Sequence, residues 1–280
     1  MIVRLTGALL RALLVALVIA TPALLLPEVE ADSAQVVALM ALIAGTFVFL
    51  EYFSRYPSII EFRFAPPFNR LRFFAIFAVV LLLTVSTAGD HLETPVAALF
   101  RVLGTIFSQA LDFPYSPVHL VLLALPEGTP PAEVAMVRDA AGISYLVALC
   151  ALLVFAYLVK VKGWPGRYGA FNVWINLPLF DPTGGGDVLN RLKRDSVVNV
   201  VLGILLPFLT PAAFKLATFV VGPVSITDPM TLIWTLTAWS LIPANLVMRG
   251  IALMRIADMI EQKRRRTYAE ARTEEQFQAA

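Results

Sequence analysis

Residues 163–195 read GWPGRYGAFNVWINLPLFDPTGGGDVLNRLKRD. This is the longest stretch that is neither apolar enough to cross a membrane nor an obvious tail. How it folds decides how the hydrophobic segments on either side are joined. It echoes an earlier stretch. Arg55-Tyr56-Pro57-Ser58-Ile59-Ile60-Glu61-Phe62-Arg63-Phe64-Ala65-Pro66-Pro67-Phe68-Asn69 aligns without gaps on Arg167-Tyr168-Gly169-Ala170-Phe171-Asn172-Val173-Trp174-Ile175-Asn176-Leu177-Pro178-Leu179-Phe180-Asp181. Arg, Tyr, Pro and Phe coincide; Phe62 meets Trp174 and Asn69 meets Asp181.

Both stretches have strand character. Ile60, Phe62 and Phe64 alternate with Glu61 and Arg63. Phe171, Val173 and Ile175 alternate with Asn172, Trp174 and Asn176. A period of two among β-branched and aromatic residues, ended by proline, is a strand signal. Two such pieces at one membrane face can pair and satisfy each other's backbone. Extended, unpaired loops are the alternative, because an isolated ribbon is marginal in water. A duplicated helical hairpin would also explain the echo.

After Pro182 comes Thr183-Gly184-Gly185-Gly186-Asp187. A phosphate loop would need Gly-Lys-Ser/Thr, and a dinucleotide fold would need G-x-G-x-x-G after a strand. Neither occurs, so the glycines predict a flexible turn and Asp187 predicts a helix N-cap. The capped helix, 188–195, carries Arg191, Lys193 and Arg194, which suit anionic lipid at the inner surface.

What flanks this stretch is strongly apolar. Hydrophobic residues make up 59% of the 280 and charged residues 15%, with mean hydropathy +0.78. Soluble domains run about 45–50% apolar and about 25% charged. The composition therefore predicts an integral membrane protein. A span needs about 20 mostly apolar residues. The candidates are 5–26, 34–53, 71–89, 140–159, 197–221 and 230–248. The first has a rival reading as a secretory signal, with Arg4 and Arg11 ahead of an apolar core and Val29-x-Ala31 before a cut. Its long core and the acidic Glu28 and Glu30 favour a retained helix.

The bases set the orientation. Of 22 Lys and Arg, all but Arg101, Arg138 and Lys215 fall at the N-terminus, between spans two and three, between spans four and five, or after span six. The first loop holds Glu28, Glu30 and Asp32 and no base. Both termini are therefore expected in the cytoplasm, and the membrane is expected to be a bacterial inner membrane.

The third loop, 90–139, is long and semi-apolar. Leu99, Val102, Leu103, Ile106, Phe107 and Ala110 recur at helical spacing, with Arg101, Thr105 and Ser108 opposite. This predicts an amphipathic helix in the outer interface. The proline-bounded piece 116–125 is too short to span. Asp90, His91, Glu93 and His119 form an external metal site on paper only; solvated residues are the simpler reading.

Within the spans, Pro207, Pro211 and Lys215 mark the fifth, and Thr231, Thr235, Thr237, Ser240 and Asn245 the sixth. Lys215, Thr235 and Asn245 would line a polar path in a transporter. The alternatives are snorkelling for Lys215 and helix–helix hydrogen bonds for the rest. No Asp or Glu lies mid-span, which weighs against ion-coupled transport. The tail, 249–280, continues an apolar stripe through Ile251, Met254, Ala257 and Ile260. The basic run Lys263, Arg264, Arg265, Arg266 follows, suited to anionic lipid. No folded basic domain points to nucleic acid.

Catalytic sets are missing. Cys150 stands alone in an apolar run, and neither H-E-x-x-H nor G-x-S-x-G occurs. Asp181 and Asp187 could hold a cation over a lipid phosphate, but no basic partners stand at fixed spacing. No cofactor, catalytic or metal residue is assigned. The fold expected is an all-α integral membrane protein of about six transmembrane helices. It carries a small β-like cytoplasmic cap and an interfacial outer helix; 1–248 form the membrane domain and 249–280 a basic helical tail. The function expected is a non-enzymatic accessory or scaffold subunit binding a protein partner. Arg55, Tyr56, Phe62, Arg167, Tyr168, Trp174, Phe180 and Asp181 are the candidate contacts, with Trp174 and Phe180 as aromatic anchors. A small-solute transporter or channel-like protein is the alternative, and a lipid-phosphate enzyme a second.

Overall fold

A long apolar run becomes a helix in lipid because only a helix satisfies every backbone N–H and C=O within one segment. The computed structural model describes residues 2–27, 29–56, 58–88, 94–166, 171–180, 187–221 and 227–278. Its elements are α1 (Ile2–Leu25), α2 (Ala31–Phe53), α3 (Phe68–Thr87), α4 (Pro95–Leu111), α5 (Pro117–Leu123), α6 (Pro131–Lys160), α7 (Val173–Asn176), α8 (Val188–Val221) and α9 (Pro229–Gln278). Six of them, α1, α2, α3, α6, α8 and α9, are long and apolar enough to cross a membrane. The chain is a multi-pass membrane protein.

The packing is that of a protein with lipid as solvent. Leu9, Leu13, Leu42, Phe47 and Leu153 stand on the outside, while Ala8, Ala12, Ala41 and Gly45 are among the residues α1 and α2 bury. Small residues let backbones approach, which is how helices gain contact where lipid is as apolar as leucine. α8 and α9 share the largest interface, and glycines set it. A Cβ at Gly203 would meet the Pro243 carbonyl at 2.6 Å, and one at Gly250 the Ser196 carbonyl at 2.8 Å. The Ser196 hydroxyl donates back to the Gly250 carbonyl at 2.7 Å.

Prolines shape the same pair. Pro211 has no N–H to donate to the carbonyl four residues back, at Pro207. The Trp239 indole N–H takes that place across the interface at 3.1 Å. α8 runs unbroken from Val188, so the expected separation of a surface helix 188–195 from a span 197–221 does not occur. Ser196, at the expected join, is buried against α9. α9 likewise continues past residue 248: Ala252, Leu253, Ile256 and Ala257 are buried. Of the expected stripe Ala257 is buried, while Ile251, Met254 and Ile260 are only partly covered and Ala252, Leu253 and Ile256 beside them are the buried residues.

α4 covers the residues expected of the amphipathic outer helix, and its polar side faces protein. Thr105 and Ser108 donate to the Asp139 carboxylate of α6 at 2.7 and 2.6 Å. Leu99, Val102, Ile106 and Phe107 face outward. Ser116 caps α5 by accepting from the His119 N–H at 3.0 Å.

The β-like cap is not formed: the described residues contain no strand. Residues 61–64 are turns, and Phe62 takes φ 55, which no strand permits. Val173–Asn176 is a single helical turn, capped by Asn172, whose side chain accepts from the Ile175 N–H. The two loops do meet, through Asn176 and through Trp164. The Phe62 N–H donates to the Asn176 carbonyl at 2.7 Å, and the Phe64 N–H to the Asn176 side-chain oxygen at 3.1 Å. The alternation was real, but Phe62 is buried with Phe68, Phe155 and Trp164 in one aromatic cluster, and the backbone there turns rather than extends. Residues 167–170 and 181, on which the repeat alignment leans, lie outside the described residues.

Candidate functional site

The meeting of these loops marks the end of the bundle where most bases gather. Arg4 of α1 donates to the Phe53 carbonyl at the end of α2. The end of α6 and the start of α8 belong to the same end, as the contacts below show. Arg101, Arg138 and Lys215 belong elsewhere.

Glu51, in the last turn of α2, is buried. Its carboxylate accepts from the backbone N–H groups of Ser58, Ile59 and Ile60 at 3.0 to 3.3 Å and from the Ser58 hydroxyl. Four donors converging on one carboxylate hold the loop in place. Arg63 returns to the end of α2 and donates to the carbonyls of Glu51, Ser54 and Arg55. Those include carbonyls that a helix end leaves open.

Deeper, Glu61 forms a bidentate ion pair with Arg249 of α9, at 2.6 and 2.8 Å. The Glu61 side chain is 8% exposed and that of Arg249 26%. Beside it, Arg72 donates to the Asn245 side-chain oxygen at 2.8 Å, and Asn69 to the Glu61 carbonyl at 2.8 Å. Charges buried this far must be paired and hydrogen-bonded to be tolerated. Under them lies an aromatic box. Phe62 and Phe68 sit 4.5 Å apart, and Phe155 lies 5.2 Å from both Phe68 and Trp164. The Trp164 indole N–H donates to the carbonyls of Ala65 and Pro66, each at 3.2 Å, and Arg255 donates to the Trp164 carbonyl at 3.3 Å.

The start of α8 is tied to the far part of α9. Asp187 accepts from the Leu189 N–H at 3.2 Å, the expected cap, and pairs with Arg264 at 3.1 Å. The Leu189 N–H, and then Arg264, favour its ionised form and hold its carboxyl below the ordinary value. Lys193 pairs with Glu261 at 2.8 Å, which Arg265 also reaches at 2.6 Å. The bases expected to touch lipid are therefore divided. Lys193, Arg264 and Arg265 are engaged in ion pairs, and Arg191 lies over the Phe180 ring at 5.0 Å. Arg194 approaches Asp195 at 3.6 Å while largely exposed, and Lys263 and Arg266 are exposed.

The expected docking residues divide too. Phe62 and Phe180 are core residues, 1% and 6% exposed, so neither offers itself to a partner. Arg55 and Tyr56 are exposed and stack on each other at 6.0 Å. Arg167, Tyr168 and Asp181 lie outside the described residues, and of Trp174 only the backbone is described. Among the exposed apolar side chains at this end are Tyr56, Ile59, Phe64 and Leu179 on the two loops, each more than half exposed. Three of those four were not singled out from the sequence; their position outside the apolar spans was the available signal.

The three polar-path residues do not line one path, because Asn245 lies apart from the other two at the base-rich end. Lys215 is exposed and donates to the Leu123 carbonyl at 2.8 Å. Asn245 is held by Arg72, and Thr235 borders an apolar cavity. Other buried hydroxyls, such as Thr84 and Ser240, donate to their own helices. Among the described residues no cluster of three metal-binding side chains exists. His119 pairs with Asp112 at 2.7 Å, and residues 90, 91 and 93 lie outside the described residues. Glu61, Arg249, Arg72 and Trp164 were not legible as a set in sequence order. Comparison with family models, curated proteins and solved structures finds no match to this chain.

Proposed function

We propose that this protein is a non-enzymatic accessory or scaffold subunit of a bacterial cytoplasmic membrane. Its base-rich end would face the cytoplasm and hold a protein partner. One observation carries the reading: Tyr56, Ile59, Phe64 and Leu179 stand exposed on loops that are braced from beneath. Glu51, Arg63 and the Glu61–Arg249 pair fix the first loop, and Asn176 joins it to the second. A preorganised surface with aromatic and aliphatic anchors binds at lower entropic cost than a mobile one. The far turns of α9 add a basic, exposed face beside it. With Asn245 held by Arg72, apart from Lys215 and Thr235, the transporter reading has no such support.

The test is a triple variant, Tyr56→Ala, Ile59→Ala and Leu179→Ala, compared with wild type in mild-detergent affinity capture and mass spectrometry. Membrane insertion and thermal stability are expected to stay the same while a specific partner is lost. Unchanged recovery of every co-purifying protein would overturn the reading.

A further inference from the structure

Toward the other end of the bundle, α5, α8 and α9 enclose a cavity of about 340 Å³. That is within the range of about 300–1,000 Å³ for small-molecule sites. Val121 and Ala124 form one wall, Pro211 and Phe214 the second, Trp239 and Ile242 the third. Thr210 also borders it, but turns its hydroxyl back to the Leu206 carbonyl at 2.8 Å. Apart from Thr235 the rest of the lining is apolar, so a water would find few of the polar partners it needs.

Two features decide what fits. First, the cavity opens sideways onto the lipid-facing surface, since Ile242 and neighbouring Leu209 are more than half exposed. Its walls are stiffened by Pro207, Pro211 and Pro243, with the Trp239–Pro207 hydrogen bond bridging α8 and α9. Second, a cation stands at its α5 edge. Lys215 follows Phe214 in the chain and lies one turn beyond Pro211. Its ammonium reaches the carbonyl of Leu123, the residue before Ala124. An apolar slot with an ammonium at its rim matches an amphiphile with an apolar chain and a negative head.

We propose that this cavity is a lipid site taking one acyl chain of an anionic phospholipid, with the phosphate against Lys215. The site is independent of the docking face at the base-rich end. The test uses phosphatidylcholine bilayers holding a minor fraction of chain-brominated lipid, which quenches tryptophan on contact. Trp239 emission is read as the difference between wild type and Trp239→Phe. Brominated phosphatidylglycerol is expected to quench it several-fold more than brominated phosphatidylcholine at the same fraction. Lys215→Gln is expected to erase that preference without changing thermal stability. Equal quenching by the two lipids would mean ordinary surrounding lipid and overturn the proposal. Absence of quenching, or a preference that survives Lys215→Gln, would overturn it as well. Should Trp239→Phe fail to fold, the comparison is made on phosphatidylglycerol retained per protein after detergent extraction. Wild type is expected to retain it and Lys215→Gln to lose it; equal retention overturns the assignment.

Discussion

Glu61 and Arg249 are 188 residues apart, and each would be a severe defect without the other. Removing one member of a buried pair leaves the other charge desolvated and unpaired, at a cost of about 3–5 kcal/mol. The Arg249 side chain is 26% exposed, so Glu61→Leu and Arg249→Met should each fall near the low end, about 3 kcal/mol. The double variant Glu61→Leu/Arg249→Met should recover most of that loss. Thermal unfolding in detergent measures all of them, and a double-variant loss equal to the sum of the two single losses would show that the pair is not coupled. Asp187 gives a pH signature at the same scale. Its folded carboxyl is depressed, so its contribution is present above the unfolded value and disappears as pH falls through the folded one. Hydrogen exchange at the Leu189 amide, corrected for intrinsic rate, should match Asp187→Ala at low pH. At neutral pH it should be slower in wild type. That Asp187 caps α8 was readable from Gly184-Gly185-Gly186-Asp187 alone, because capping is a local interaction; the partner of Glu61 was not.

At the scale of elements, the glycines separate close packing from mere sequence preference. A Cβ at Gly142 would fall inside van der Waals contact with the backbone of Ser108, on α4. Gly142→Ala should therefore push α4 off α6, strain the Asp139 hydrogen bonds, and cost about 1–3 kcal/mol of overpacking. Gly45→Ala is the control, since its nearest foreign atom would be the Ala12 carbonyl oxygen at 3.4 Å, an ordinary contact. Proteolysis of the α4 region alongside thermal unfolding distinguishes the two; equal behaviour would remove the steric argument. The helical spacing of Leu99 to Ala110 announced α4 correctly. It did not announce which side faces protein. In a soluble domain the apolar side turns inward. Here Thr105 and Ser108 turn inward to Asp139, while Leu99, Val102 and Ile106 are left outside.

At the scale of the molecule, the contacts place the start of α1, the end of α2, the loops and the far half of α9 at one end. Single cysteines in a Cys150→Ser background test what that implies for a membrane. A membrane-impermeant maleimide should label Glu127→Cys in intact cells. Tyr56→Cys and Tyr268→Cys should react only after permeabilisation. Labelling of all three from one side would break the six-crossing arrangement.

Hydropathy and charge are properties of neighbouring residues, so the sequence alone determined the membrane class, the number of helices long and apolar enough to cross, and the segregation of bases from Glu28, Glu30 and Asp32. Period-two alternation in residues 60–64 was equally local, yet it did not survive. Phe62, Phe68, Phe155 and Trp164 come from separate segments, and only their common burial bent that stretch into turns. Which aromatics would be buried and which exposed, which charges would pair, and where α5, α8 and α9 would leave a cavity were decided by the tertiary structure. Each depends on groups far apart in sequence, whose separation is set by how six helices pack.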